Sequence, residues 1–146
     1  MLIPVVGFTL WRLSHRSACD VARAASGLSI PCREQVIEFH DHASGFLDQD
    51  LDTRAELLFA PADFDRVFRE ARESGFLAVA EPSATTRPCD DNVNQFGMGA
   101  TGICEAREEL SDSSGLFRYF RDTPSSYTLV VLDSARRRLV ARFLIL

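Results

Sequence analysis

The chain has 146 residues, 46% of them hydrophobic and 25% charged, with a formal net charge of −5. That length fits one domain, the composition excludes a disordered chain, and the acidic balance argues against nonspecific binding to nucleic acid or anionic lipid. All sixteen basic residues are arginine, which excludes Schiff-base lysine chemistry and a phosphate-loop lysine.

The N-terminal MLIPVVGFTLW is apolar apart from Pro4, Gly7 and Thr9, and is followed by Arg12, His15 and Arg16. It is shorter than the roughly 20 residues of a membrane span and lacks the leading basic region of an export signal. Residues 1–13 read as an anchor or export segment cut at its front, a membrane tether ahead of a single globular domain over 14–146. A buried strand of a soluble domain is the alternative. The four cysteines form two sequence-local pairs, Cys19 with Cys32 and Cys89 with Cys104, and none of the spacings is the C-x-x-C of a zinc site. Two disulfides in an extracytoplasmic or periplasmic domain are expected, with three connectivities open; reduced cysteines in a cytoplasmic protein are the alternative.

From Ser17 the pattern is helical. Ser17 and Asp20 fit a capping box, Ala18, Val21, Ala22 and Ala25 recur at helical spacing, and Gly27 can end the helix. Pro31 then forces an extended link. REQVIEFHDH alternates as a strand, with Val36, Glu38, His40 and His42 on one face and Ile37, Phe39 and Asp41 on the other. TRAELLFA reads as its antiparallel partner.

PADFDRVFREARESGF carries the strongest helical signal. Pro61 suits the first turn, Phe64, Val67, Phe68 and Ala71 form one stripe, and Gly75 sits where a C-terminal cap belongs. Residues 81–102 read as a long irregular loop, and 103–110 fits helix or strand equally. Three strands follow, GLFRYFRD, SYTLVVLD and RLVARFLIL, the last two forming a hairpin and the final one apolar enough to be central. The expected fold is α+β: a largely antiparallel sheet, one strong core helix over about 61–75 and an N-terminal helix over about 17–27.

Three motifs invite chemistry. GMGATG, residues 97–102, is a literal G-x-G-x-x-G, but it follows polar DDNVNQ where a dinucleotide fingerprint needs a buried strand. DQDLD opens like a calcium loop, yet Thr53 and Phe59 stand where glycine and glutamate are required. His40 and His42 on one strand face could share a metal with Asp48, so a metal-binding module or metal-dependent hydrolase is the alternative function. No cofactor is expected. The acidic residues Asp41, Asp48, Asp50 and Asp52, with Asn92 and Asn94 in the second loop, read as contacts to a protein partner, because loops on a rigid scaffold carry recognition.

IPCREQVIEFHDHASGFLDQDLDTRAELLFAPADFDRVF resembles a group of small uncharacterised bacterial exported or membrane-anchored proteins. There a proline precedes a strand, followed by a motif of type D-x-H-G-G-F-x-G-D-G, a strand and a helix. Asp41 would hold the motif's aspartate, Ala43 to Phe46 its middle, and Asp48 its later aspartate. Two motif glycines are absent here. The C-terminal strands are similar to the closing strands of that group. The resemblance implies an N-terminal anchor and an extracytoplasmic domain, and the group carries no assigned activity. The expected function is noncatalytic binding, as an inhibitor or immunity-type partner of a secreted toxin or enzyme.

Overall fold

A computed structural model describes residues 17–33, 35–41, 51–79, 98–110, 113–123 and 126–145, a few at element ends by backbone alone. The elements run α1 (Ala18–Ser26), β1 (Gln35–Asp41), β2 (Leu51–Leu58), α2 (Pro61–Glu73), β3 (Leu77–Val79), α3 (Met98–Leu110), β4 (Gly115–Thr123), β5 (Ser126–Asp133) and β6 (Arg138–Ile145). The six strands form one sheet in the order β1-β2-β6-β5-β4-β3, every neighbouring pair antiparallel. The fold is α+β, as the patterning implies.

Both expected helices form for the reasons legible in their residues. Ser17 Oγ accepts from the Asp20 amide and Asp20 Oδ2 accepts from the Ser17 amide, both at 3.1 Å, closing the capping box at the start of α1. Gly27 ends α1 at φ 67°, a left-handed position that costs glycine nothing. In α2, Pro61 opens the helix, Phe64, Val67 and Ala71 are buried, and Phe68 is half-buried against them. Gly75 follows at φ 97°. Both helices lie on one face of the sheet, where Ala55, Leu57, Leu132 and Leu139 meet them. Each large aliphatic side chain buried there contributes about 1.5–3 kcal/mol. The Cys19–Cys32 disulfide ties α1 to the approach of β1 across 13 residues of sequence.

Three expectations are corrected. Residues 98–102, expected in an irregular loop, open α3, and the ambiguous 103–110 completes it. Gly99 and Gly102 weaken the intrinsic helical signal; packing supplies what propensity lacks. Ala106 and Leu110, one turn apart, bury against Phe117, Leu129 and Val131 on the face opposite α1 and α2. The sheet is therefore a central layer with helices on both sides.

The second correction concerns β1. A bulge between Val36 and Glu38 sets Val36 opposite Leu57 and Glu38 opposite Glu56. Directly paired residues share a face, so Val36 lies on the α1/α2 side, while Glu38 and His40 lie on the α3 side. The third is β3, a three-residue edge strand not read from the sequence. The final strand is central, third of six.

Gly115 has a steric reason to be glycine. A Cβ there would sit 1.9 Å from the Leu132 carbonyl oxygen and 3.0 Å from Leu110 Cδ2, so β4 enters the sheet where no larger residue fits.

Candidate functional site

The α3 side of β2 alternates with its core side. Thr53, Ala55 and Leu57 are buried toward α1 and α2, which turns Arg54 and Glu56 toward α3. Register adds Glu38 and His40 from β1, and Arg138 and Arg142 from β6, to that face. Helix α3 brings Glu105 and Glu109, four residues apart and so on one side. These side chains form the densest ionisable cluster among the described residues.

Arg54 is its centre. It donates to both carboxylate oxygens of Glu109, to Glu38 Oε2 at 3.4 Å and to Glu56 Oε2 at 3.5 Å. Arg138 continues the chain through Glu56 Oε1 at 2.7 Å, Asp133 Oδ2 at 3.0 Å and the Glu109 carbonyl. Asp133 also accepts from Ser113 Oγ at 2.7 Å, from the Ala135 and Arg136 amides, and from the Arg136 guanidinium. His40 Nε2 lies 3.0 Å from Glu38 Oε1 at the open end. One continuous path thus joins β1, β2, α3, β6 and the β5–β6 turn.

The electrostatics follow from this pairing. Hydrogen bonding to Glu109 holds the Arg54 guanidinium above its ordinary range, with burial opposing and Glu109, Glu38 and Glu56 adding attraction. Burial alone would push the Glu109 carboxyl up, but the Arg54 hydrogen bond and the charges of Arg54, Arg138 and Arg142 hold it below the usual range. Asp133 behaves alike: burial works upward, and bonds from Ser113, Arg138 and Arg136 outweigh it. Arg138 is raised by Glu56 and Asp133 against burial.

Glu105 is the exception. Burial pushes its carboxyl up, only partly offset by the Arg142 charge and a Tyr127 hydrogen bond, and its Oε2 is buried without a hydrogen-bond partner. Tyr119, whose ring centroid lies 5.4 Å from that of Tyr127, is pushed up by burial and then by Glu105. On the opposite face, a cleft of about 270 Å³ beside α1 is lined by Val21, Ala25, Thr53, Phe120, Thr128 and Phe143, with no ionisable side chain among the described residues that line it.

The residues expected from sequence fall differently. His40 is placed, beside Glu38. Asp41 closes β1 opposite Thr53 and Asp52 lies in β2 opposite Leu144, both described by backbone alone. His42, Asp48, Asp50, Asn92, Asn94 and Cys89 lie outside the described residues. No group of three or more histidine, cysteine, aspartate or glutamate side chains able to hold a metal occurs among the described residues. Cys19 and Cys32 are joined, Cys104 is disulfide-bonded as well, and no cysteine among the described residues is free. Disulfide bonding is consistent with an extracytoplasmic location. No helix of the described residues is long and apolar enough to cross a membrane.

Sequence reasoning missed Arg54, Glu56, Glu105, Glu109, Asp133 and Arg138. A signal for two of them was present: in T-R-A-E-L, charges alternate with small or apolar residues, which marks a strand with one charged face. No family model, curated protein or solved structure matches the chain.

Proposed function

We propose that this is a noncatalytic binding protein working outside the cytoplasm, an inhibitor or immunity-type partner of a secreted protein. The observation that carries the reading is the mutual commitment of the charged cluster. Arg54 and Arg138 are bonded to Glu38, Glu56, Glu109 and Asp133, so this face makes a rigid platform rather than an acid–base pair set over a cleft. The connection carrying Asp48 and Asp50 springs from the strands of that platform, between Asp41 of β1 and Leu51 of β2. A rigid scaffold presenting an acidic connection suits a partner with a basic surface, because opposite potentials steer encounter and fix register. The disulfides support a periplasmic or otherwise extracytoplasmic setting.

The test is kinetic. A partner captured from the extracytoplasmic fraction of the source organism should associate at least about tenfold more slowly with a chain carrying Asp48→Lys, Asp50→Lys and Asp52→Lys. Its rate should also lose most of its dependence on ionic strength. Association unchanged by the three reversals would sink the acidic-contact reading. A stoichiometric metal that purifies with the protein and is lost in His40→Gln/His42→Gln would replace the binding reading with a metal centre.

A further inference from the structure

Directly paired residues share a face, so register reads the α1/α2 side of the sheet row by row. Ala55, Ala141 and Val130 make one row across β2, β6 and β5, and all three belong to the core that α1 and α2 cover. Two residues further along the strands, Thr53, Phe143, Thr128 and Phe120 make a second row across β2, β6, β5 and β4. None of these four is part of that core. They are the floor of the cleft of about 270 Å³, and Val21, Ala24 and Ala25 of α1 are its wall. Phe120, at the end of the row, is 41% exposed. We propose that this cleft is the docking groove for the apolar N-terminal stretch of the same chain, residues 1–11, which lie outside the described residues.

Reach selects this occupant first. Residues 1–11 lead through residues 12–16 into Ser17, whose hydroxyl and amide cap the helix that walls the cleft. The five linking residues reach at most about 17 Å. Helix α1, nine residues long, measures about 14 Å. The stretch can therefore return alongside α1 at any point of its length. Three strand spacings, about 14 Å, separate β2 from β4. Eleven residues cover that distance even at the short rise of a helix, about 16 Å.

Chemistry agrees with reach. MLIPVVGFTLW has no charged side chain, and the described residues lining the cleft have none either. Packing the two together removes apolar surface from water on both sides without stranding a charge. Tethering decides between this stretch and the same stretch of a second copy. A segment held by a short link is present at an effective concentration of about millimolar, so it fills the cleft ahead of one from another molecule. Docked there, it extends the apolar layer on this face of the sheet beyond α1. The inference is independent of the acidic connection, since it uses none of Asp48, Asp50 or Asp52.

Fluorescence of the full chain tests it, because Trp11, the single tryptophan, lies in the proposed occupant. Without lipid, Trp11 of the wild-type protein should emit to the blue of free tryptophan and be shielded from acrylamide, equally at every protein concentration. Phe120→Glu puts a charge on the cleft floor that docking would have to bury, so acrylamide quenching should rise at least about threefold. Ala24→Glu should act in the same direction; Ala24 is exposed on α1, so this variant decides the matter should Phe120→Glu not fold. Arg69→Glu, exposed on α2 and away from the cleft, should leave Trp11 unchanged. Trp11 as open to acrylamide in the wild type as in urea, or shielded yet indifferent to both cleft variants, would overturn the proposal. Shielding that grows with protein concentration assigns the cleft to a second copy and overturns it. Shielding that appears only with phosphatidylcholine/phosphatidylglycerol vesicles assigns residues 1–11 to a membrane and overturns it too.

Discussion

Glu105 and Glu109 sit one turn apart on α3, face the same sheet and differ in almost everything that matters to a carboxylate. Glu109 meets the Arg54 guanidinium with both oxygens and is held ionised. Glu105 has the Arg142 charge and a tyrosine hydroxyl in its favour, keeps one oxygen buried without a partner, and is nonetheless pushed by burial toward its neutral form. The difference shows that burial by itself does not decide whether a carboxylate stabilises a fold. A buried charge with charge-assisted bonds locks elements together; the same charge with too little pairing to offset its desolvation costs stability.

The largest test of that contrast lies at the inner end of the paired cluster. Asp133→Ala should cost about 3–5 kcal/mol in urea unfolding, because its side chain is 1% exposed and its loss takes a charge partner from Arg138 and the acceptor from the buried Ser113 hydroxyl. It would also release the β5–β6 turn, whose Ala135 and Arg136 amides the carboxylate holds. A loss under about 1 kcal/mol would mean that solvent replaces those bonds easily and that the cluster is not a lock.

Next in size is Arg54→Met, expected to cost about 2–3 kcal/mol, less than a fully buried pair because the Arg54 side chain is 21% exposed. In a double-mutant cycle with Glu109→Gln, the coupling should reach about 1–3 kcal/mol. The pH profile should change with it. Glu109 lies below the ordinary carboxylate range, so its contribution is present above that range and is lost as pH falls through its lowered folded value. Removing Arg54 brings that loss to higher pH. An acid-unfolding curve that keeps its midpoint in Arg54→Met would break the assignment.

The smallest expected effect has the opposite sign. Glu105→Gln should raise stability by about 1 kcal/mol at neutral pH, since the amide keeps an oxygen for Tyr127 and buries no charge. Glu105 lies above the ordinary range, so its penalty is full at pH above its raised folded value. The penalty lifts as pH falls from there toward the ordinary carboxylate range. The gain in Glu105→Gln should therefore fade on acidification. Calorimetry at paired pH values reads it directly, and a substitution that destabilises at neutral pH would show that the charged form has more support than Tyr127 and Arg142 provide.

How much of this was legible beforehand depends on how far apart the deciding residues lie. The capping box of α1 involves residues three apart, and the stripe of α2 spans seven; both were readable because short-range sterics and periodicity settle them. The Cys19–Cys32 disulfide is a local pair too, and it formed as one of the two pairings that proximity favoured. The hairpin of β5 and β6 could be read from two apolar runs around a short polar turn. For 98–110 the local signal was divided, with glycines at one end and charges at the other, and the opposite sheet face had to exist before Ala106 and Leu110 made a helix worth forming.

The charged cluster was not readable at all as a cluster. Arg54 meets Glu109 across 55 residues and Arg138 meets Glu56 across 82, and no local rule pairs residues at such distances. Only strand order and register bring them together. The bulge in β1 belongs with them: one extra residue between Val36 and Glu38 reverses which side chains share a face, and alternation in the sequence gives no warning of it. Composition, periodicity and caps determined the class of fold, the two early helices and the strands that alternate. The tertiary structure decided which face each charge occupies and what it meets there, because side-chain direction within a sheet is set by pairing with the neighbouring strand.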